Sequence, residues 1–141
     1  MIVLDTDVLS AIIGRAPDAA ALRWLAEQPA PAIFTTAVTE AEILYGVAAL
    51  PKSRRRSVLE HAVRLLFADD LAGRVLPFDR DAAREYAAIA ASRRQRGRPL
   101  GALDAQIAAI ARSRGAALAT RNTADFEGCG IRLIDPWKAR A

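Results

Sequence analysis

Thiols, imidazoles and ammonium groups are scarce: 141 residues hold one cysteine, Cys129, one histidine, His61, and two lysines, Lys52 and Lys138. A lone thiol excludes an internal disulfide and any zinc site built from several thiolates, and it fits a reducing cytoplasm. A lone imidazole makes any Ser-His-Asp or Cys-His mechanism depend on His61. No G-x-S-x-G turn accompanies it, so His61 reads as structural. Long apolar runs are missing too. The opening run is four residues with no basic residue ahead of it, which is not the pattern of a signal peptide, and no later run approaches a membrane span. The chain is expected to be soluble and cytoplasmic, with no membrane partner.

The basic residues that are present are almost all arginine. Formal net charge is +4 and the pI is about 10.0, which permits an acidic or nucleic-acid partner without demanding one. The length suits one domain, 1–141, able to bury a proper core without disulfides or a structural metal.

Short apolar runs alternate with helical patterns. The run Met1 to Leu4 reads as a buried parallel strand, with a helix expected from Val8 to Ile13. Asp18 opens a second helix to about Gln28, Ala32 to Thr35 is a second strand, and Thr36 can cap a helix from Ala37 to about Leu50. A further helix spans Lys52 to Phe67, followed by a turn at Asp69-Asp70 and Gly73. Arg74 to Phe78 suggests a third strand, and Asp79 caps a helix to about Gln95. Gly101 to Ser113 is the last helix; Ala116 to Thr120 and Ile131 to Ile134 are the last strands. Such alternation predicts an α/β fold with helices on both faces of a parallel sheet.

Most carboxylates in this pattern have ordinary roles as caps or solvated helix residues; a few do not. Asp5 falls at the carboxyl end of the first strand, where open α/β sheets place their ligands. Asp7, two residues on, suits the N-cap of the next helix better than Asp5 does. Asp104 shares a helical stripe with Leu100, Ile107, Ala108 and Ala111, which should face the sheet; an unpaired charge there needs a cation, donors or a wet cleft. The same spacing allows a partly exposed Asp favoured by the helix dipole. Glu42 shares a face with Val38, Tyr45 and Ala49, whereas Glu40 points almost the opposite way and reads as solvated. Thr120, Arg121, Asn122 and Asp125 follow the fourth strand, either as a plain Asn-initiated turn or as a second polar group at a strand end. If strands one and four are neighbours, this turn faces Asp5.

Carboxylates converging on one cleft repel: one pair at about 4 Å costs about 4 kcal/mol at an effective dielectric of about 20. A hard cation resolves this, and oxygen donors without thiolate or imidazole favour Mg²⁺ or Mn²⁺.

Four stretches carry a resemblance: Ile2-Val3-Leu4-Asp5-Thr6-Asp7, Thr39-Glu40-Ala41-Glu42-Ile43-Leu44-Tyr45-Gly46, Leu103-Asp104 with Ile107-Ala108-Ala109, and Ala119-Thr120-Arg121-Asn122-Thr123-Ala124-Asp125-Phe126. In that order they resemble the PIN-domain ribonucleases, and among them the VapC and FitB-like toxins of toxin–antitoxin pairs. The closing Leu133-Ile134-Asp135-Pro136-Trp137 is similar as well. The resemblance implies a PIN-like α/β/α sandwich whose sheet of about five strands is ordered 3-2-1-4-5. It implies a metal-dependent endoribonuclease with Mg²⁺ or Mn²⁺ held by Asp5, Glu42, Asp104 and Asp125, supported by Thr6, Asp7, Thr120 and Asn122. It also implies a homodimer and a small VapB/FitA-like antitoxin that fills the active-site groove, DNA being reached only through the antitoxin.

For RNA, the basic runs offer Arg54, Arg55, Arg94 and Arg96, with Arg121 beside the last acidic turn. No aromatic interleaves the runs, which predicts backbone tracking rather than base stacking. Two rivals stand beside this reading. One is a catalytically silent module that binds RNA or a partner. The other is an aspartyl-phosphate phosphatase, for which Asp5 and Asp7 would supply nucleophile and acid; it also needs a later lysine and an acidic pair at a strand end, whereas Lys52 and Asp69-Asp70 fall in or beside helices.

Overall fold

Strand β1 (Ile2–Leu4) lies at the centre of a five-stranded parallel sheet ordered β3-β2-β1-β4-β5. A computed structural model describes residues 1–14 and 16–138. The remaining strands are β2 (Ile33–Thr36), β3 (Val75–Leu76), β4 (Ala117–Ala119) and β5 (Leu133–Ile134). The helices are α1 (Thr6–Ile12), α2 (Ala19–Ala26), α3 (Ala37–Ala48), α4 (Arg54–Leu65), α5 (Arg80–Gln95) and α6 (Ala102–Ser113). Fold class and strand order are those expected. Among the described residues no helix is long and apolar enough to cross a membrane.

Alternate residues of β1 point to opposite faces and seed two cores. Val3 joins Leu118, Ile89, Ile107, Ile110 and Phe126 on the side covered by α5 and α6. Ile2 and Leu4 join Val8, Leu9, Trp24, Ile43, Val47 and Val63 on the other. β1 is covered on both faces, where a polar side chain fits only if it finds a partner; it is wholly apolar, and the chain's first polar residue, Asp5, follows its end. The chain builds β1, β2 and β3 in one direction and then returns to place β4 on the other side of β1, with Leu4 beside Ala119. That reversal opens a crevice at the carboxyl ends of β1 and β4.

Caps set the helix starts. Asp18, Thr36, Ser53 and Asp79 each accept a backbone N–H three residues on, at 3.0, 3.0, 3.1 and 2.9 Å. At α1 the expectation is overturned. The helix begins at Thr6, two residues early, and its cap is Asp5, whose Oδ1 accepts the Val8 N–H at 2.9 Å; Asp7 stands inside the first turn. Three other details differ. α4 passes into a π-helical turn, Leu66–Asp70, closed by the Leu71 N–H on the Leu66 carbonyl at 2.8 Å, where a plain turn was expected. His61, read as structural, is exposed on α4. Arg93, inside a basic run offered as an RNA surface, is buried and donates to the carbonyls of Arg98 (2.8 Å) and Glu127 (2.5 Å).

Candidate functional site

Asp5 is where the site begins. Its backbone N–H continues the sheet by donating to the Ala119 carbonyl at 3.1 Å, which fixes its Cα at the crevice between β1 and β4. Its side chain is 5% exposed. Burial pushes its carboxyl up to about 6, against the lowering effect of hydrogen bonds from Thr120 and Val8; the charges of Asp7 and Asp104 push it further up. A carboxylate that caps a helix is ordinarily stabilised in its charged form. Here desolvation and like charge win, so Asp5 is both a cap and a strained acid.

Glu42 comes from α3 on the β2 side. Thr6 donates its hydroxyl to Glu42 Oε1 at 2.7 Å, and the Thr6 and Thr39 hydroxyl oxygens are 3.1 Å apart. Asp104 sits on the first turn of α6. Ile107, Ala108 and Ala111 on its stripe are buried, as expected, but Asp104 itself is exposed. The stripe leaves the core in the first turn of α6 and there delivers the carboxylate to the cleft. Partial burial raises its proton affinity first, followed by the charges of Glu42, Asp7 and Asp125. Asp5, Asp7, Glu42, Asp104 and Asp125 thus share one electrostatic neighbourhood.

The turn after β4 faces Asp5, as its adjacency to β1 requires. The Asn122 N–H donates to Thr120 Oγ1 at 3.1 Å, and Asn122 Nδ2 donates to Asp7 Oδ2 at 2.8 Å. Asp125 lies in the 3₁₀ turn Thr123–Phe126 and is exposed.

Sequence reasoning misses what holds the acids. Thr35, Thr36, Thr39 and Thr120 are all 0% exposed. Thr35 donates to the Leu4 carbonyl at 2.9 Å, just ahead of Asp5. Thr36 caps the helix that carries Glu42, Thr39 meets Thr6, and Thr120 meets Asp5. Hydroxyls at the ends of β2 and β4, the two strands that flank β1, were the available signal, because a buried hydroxyl must find a partner.

A cleft of about 1040 Å³ opens beside Glu42 and Thr6; Arg54 and Arg55 stand on its rim, and Ile43, Val58, Leu59 and Val63 are among its apolar walls. Glu40 lines a separate groove of about 490 Å³ with Leu44, Glu60 and Arg64. Arg94 and Arg96 are exposed at the end of α5, which Arg93 ties to the Glu127 carbonyl two residues beyond Asp125. Arg121 lies over the Trp137 ring, 4.4 Å from its centroid. Lys52 is exposed in the α3–α4 connection and Asp69-Asp70 in the π turn, so neither the lysine nor the acid pair of a phosphatase reaches a strand end.

The donors fit a hard divalent cation. They are oxygens without thiolate or imidazole, and the proton affinities of Asp5 and Asp104 are raised first by burial and then by the charges of neighbouring acids, both of which a bound cation would offset. Among the described residues no three acid, imidazole or thiol side chains form a ready-made cage. Mg²⁺ does not require one, since it keeps several waters and is commonly held by one or two carboxylates.

Comparison with known proteins agrees with this architecture. Residues 2–128 match the PIN domain. The chain is 41% identical to VapC ribonuclease Y4jK of Sinorhizobium fredii over 98% of its own length and 99% of that protein. It is 33% identical to toxin FitB of Neisseria gonorrhoeae over 97% and 99%. In three dimensions it superposes with a TM-score of 0.91 on a chain of FitAB bound to an IR36 DNA fragment, 33% identical, covering 97% of this chain and 96% of that one. The chain belongs to the PIN-domain family, in the group of the VapC and FitB toxins.

Proposed function

We propose that the protein is a metal-dependent endoribonuclease, the toxin of a VapBC-type toxin–antitoxin pair, with Asp5, Glu42, Asp104 and Asp125 as its metal and catalytic residues. The observation that carries this is the gathering, at the switch point between β1 and β4, of acids whose proton affinity is raised by burial and then by one another's charge. Uncompensated charge of this kind is costly in the free protein and favours binding of a divalent cation. Mg²⁺ or Mn²⁺, when bound, supplies Lewis acidity toward a phosphodiester and acidifies a water.

The chain's own residues do the rest. Asp5, held by Thr120 and by the Val8 N–H, presents an oriented carboxylate from the sheet. Glu42, oriented by Thr6, and Asp104 face it from α3 and α6, and Asp125 closes the far side. Glu42 or Asp104 can accept the proton that an attacking water gives up, the raised affinity of Asp104 suiting that task. Arg54 and Arg55 on the cleft rim, with Arg94, Arg96 and Arg121 near the Asp125 side, hold backbone phosphates and thereby align the scissile bond.

The antitoxin and dimer surfaces belong to the same reading. Leu44, Tyr45, Leu50, Val58 and Leu65 are large apolar residues left exposed on or beside α3 and α4, more than a monomer ordinarily shows in one region. We assign this region to a second copy and to a VapB/FitA-like antitoxin. Contact with DNA runs through that antitoxin.

The test is incubation of bacterial RNA with wild type and with an Asp5→Ala, Asp104→Ala double variant, in Mg²⁺, Mn²⁺ or EDTA. Discrete fragments that need metal and disappear in the variant are expected. The same result from both proteins returns the chain to the rival reading, a silent module that only binds.

A further inference from the structure

The proton inventory of two threonines gives a direction to the contact behind Glu42. Thr6 Oγ1 donates to Glu42 Oε1 at 2.7 Å and stands 3.1 Å from Thr39 Oγ1. A hydroxyl carries one proton, and an ionised carboxylate only accepts. Thr6 has committed its proton to Glu42. The second contact must therefore run from Thr39 to Thr6.

From this geometry we infer that Thr39 is a positioning residue that fixes Glu42 through a one-way hydroxyl relay, Thr39 to Thr6 to Glu42. Thr39 is 0% exposed, so water does not compete for its hydroxyl. Its own place is set by the Thr36 cap, whose Oγ1 accepts the Thr39 N–H at 3.0 Å. Glu42 follows it by three residues on α3 and so rises on the same side of the helix. Each hydrogen bond in such a chain polarises the next, so a donor into Thr6 makes Thr6 a better donor to the carboxylate. Thr6 is the residue after Asp5. The relay consequently locks the Glu42 carboxylate of α3 to the strand end that carries Asp5, across the join between two elements with no covalent link nearby. Its consequence for activity rests on the nuclease reading above; its geometric content does not.

The experiment compares full-length wild type with Thr39→Val, Thr39→Ser, Thr6→Val and the Thr6→Val, Thr39→Val double variant. The first readout is the ¹³C carboxyl resonance of Glu42 in metal-free protein, assigned with Glu42→Gln. The second is the kcat and KM of RNA cleavage in Mn²⁺. The relay predicts that T39V moves the Glu42 resonance in the direction T6V moves it, that T39S leaves it near wild type, and that the double variant matches T6V alone. In kinetics it predicts a fall in kcat of about three- to tenfold for T39V, the range of one net hydrogen bond, with KM little changed. A purely structural Thr39 gives a different pattern: T39S fails to rescue, or the T39V effect persists undiminished in the T6V background. An unmoved Glu42 resonance in T39V overturns the inference outright. If T39V does not fold, T39A takes its place. A wild type that cleaves no RNA defeats the nuclease reading alone, and the resonance still decides the relay.

Discussion

Asn122 and Asp7 are joined side chain to side chain at 2.8 Å although 115 positions separate them. The bond clips the turn after β4 to the first turn of α1. Asp7 acts on the proton affinity of both Asp5 and Asp104, whereas Asp125 acts on that of Asp104. Asp7→Ala is therefore expected to weaken Mn²⁺ binding at least as much as Asp125→Ala, by roughly tenfold, at the low end of what outer-shell partners contribute. Titration calorimetry on the two variants checks this. A wild-type affinity in Asp7→Ala would show that Asp7 only braces the turn.

Asp5 gives a prediction about stability in which the sign matters. Its carboxyl is raised from 3.8 to about 6 in the folded protein, so folding favours the protonated form. That contribution is fully present below about pH 4 and is lost as pH rises through 6. Above pH 7 the ionised side chain costs about 3 kcal/mol relative to a neutral one. Asp5→Asn keeps an equally good N-cap and removes the charge. In EDTA it should unfold at higher urea than wild type at pH 8, and the gap should nearly close at pH 4. Lower stability at pH 8 would mean that the Asp5 charge is compensated in the fold.

Metal should reverse that penalty. A cation that binds only the folded state stabilises it by about 2.7 kcal/mol at a free concentration of a hundred times Kd. Mn²⁺ is expected to raise the melting temperature of wild type, EDTA to abolish the rise, and Asp5→Asn, Asp104→Asn to show none. An equal rise in wild type and variant would place the binding elsewhere.

Arg54 and Arg55 stand on the cleft rim without a covalent role, so replacing both with Ala should raise KM and leave kcat nearly unchanged. Each lost phosphate contact also lowers the slope of log affinity against log salt by a little under one. A fall in kcat at constant KM would argue that they touch the reacting phosphate.

How much of this was legible beforehand follows from the residues. Short apolar runs, each closed by a polar residue or a proline, are what a sheet covered on both faces demands, and β1 to β5 were readable on that ground. Asp5, Glu42 and Asp104 stood out because no cap or solvated face required them. The capping role of Asp5 was hidden, since Asp5-Thr6-Asp7 offers three capping side chains in a row and helix periodicity does not say which one the chain uses. Arg93 was hidden beside five other arginines between positions 80 and 98, because burial of a guanidinium depends on carbonyls that arrive from Arg98 and Glu127. Thr35 and Thr39 look like ordinary β-branched filling until the partner helix and strand are in place.

The most direct test of the central claim is the chemistry of the cut ends. A water held by the acidic cleft leaves no 2′,3′-cyclic phosphate, whereas attack by the RNA's own 2′-hydroxyl leaves one and needs no divalent cation. RNA cut by wild type in Mg²⁺ or Mn²⁺ should carry no cyclic phosphate, should be cut at the same bond when the 2′-hydroxyl there is removed, and should remain whole in EDTA. Cyclic ends, formed equally well in EDTA, would contradict the account.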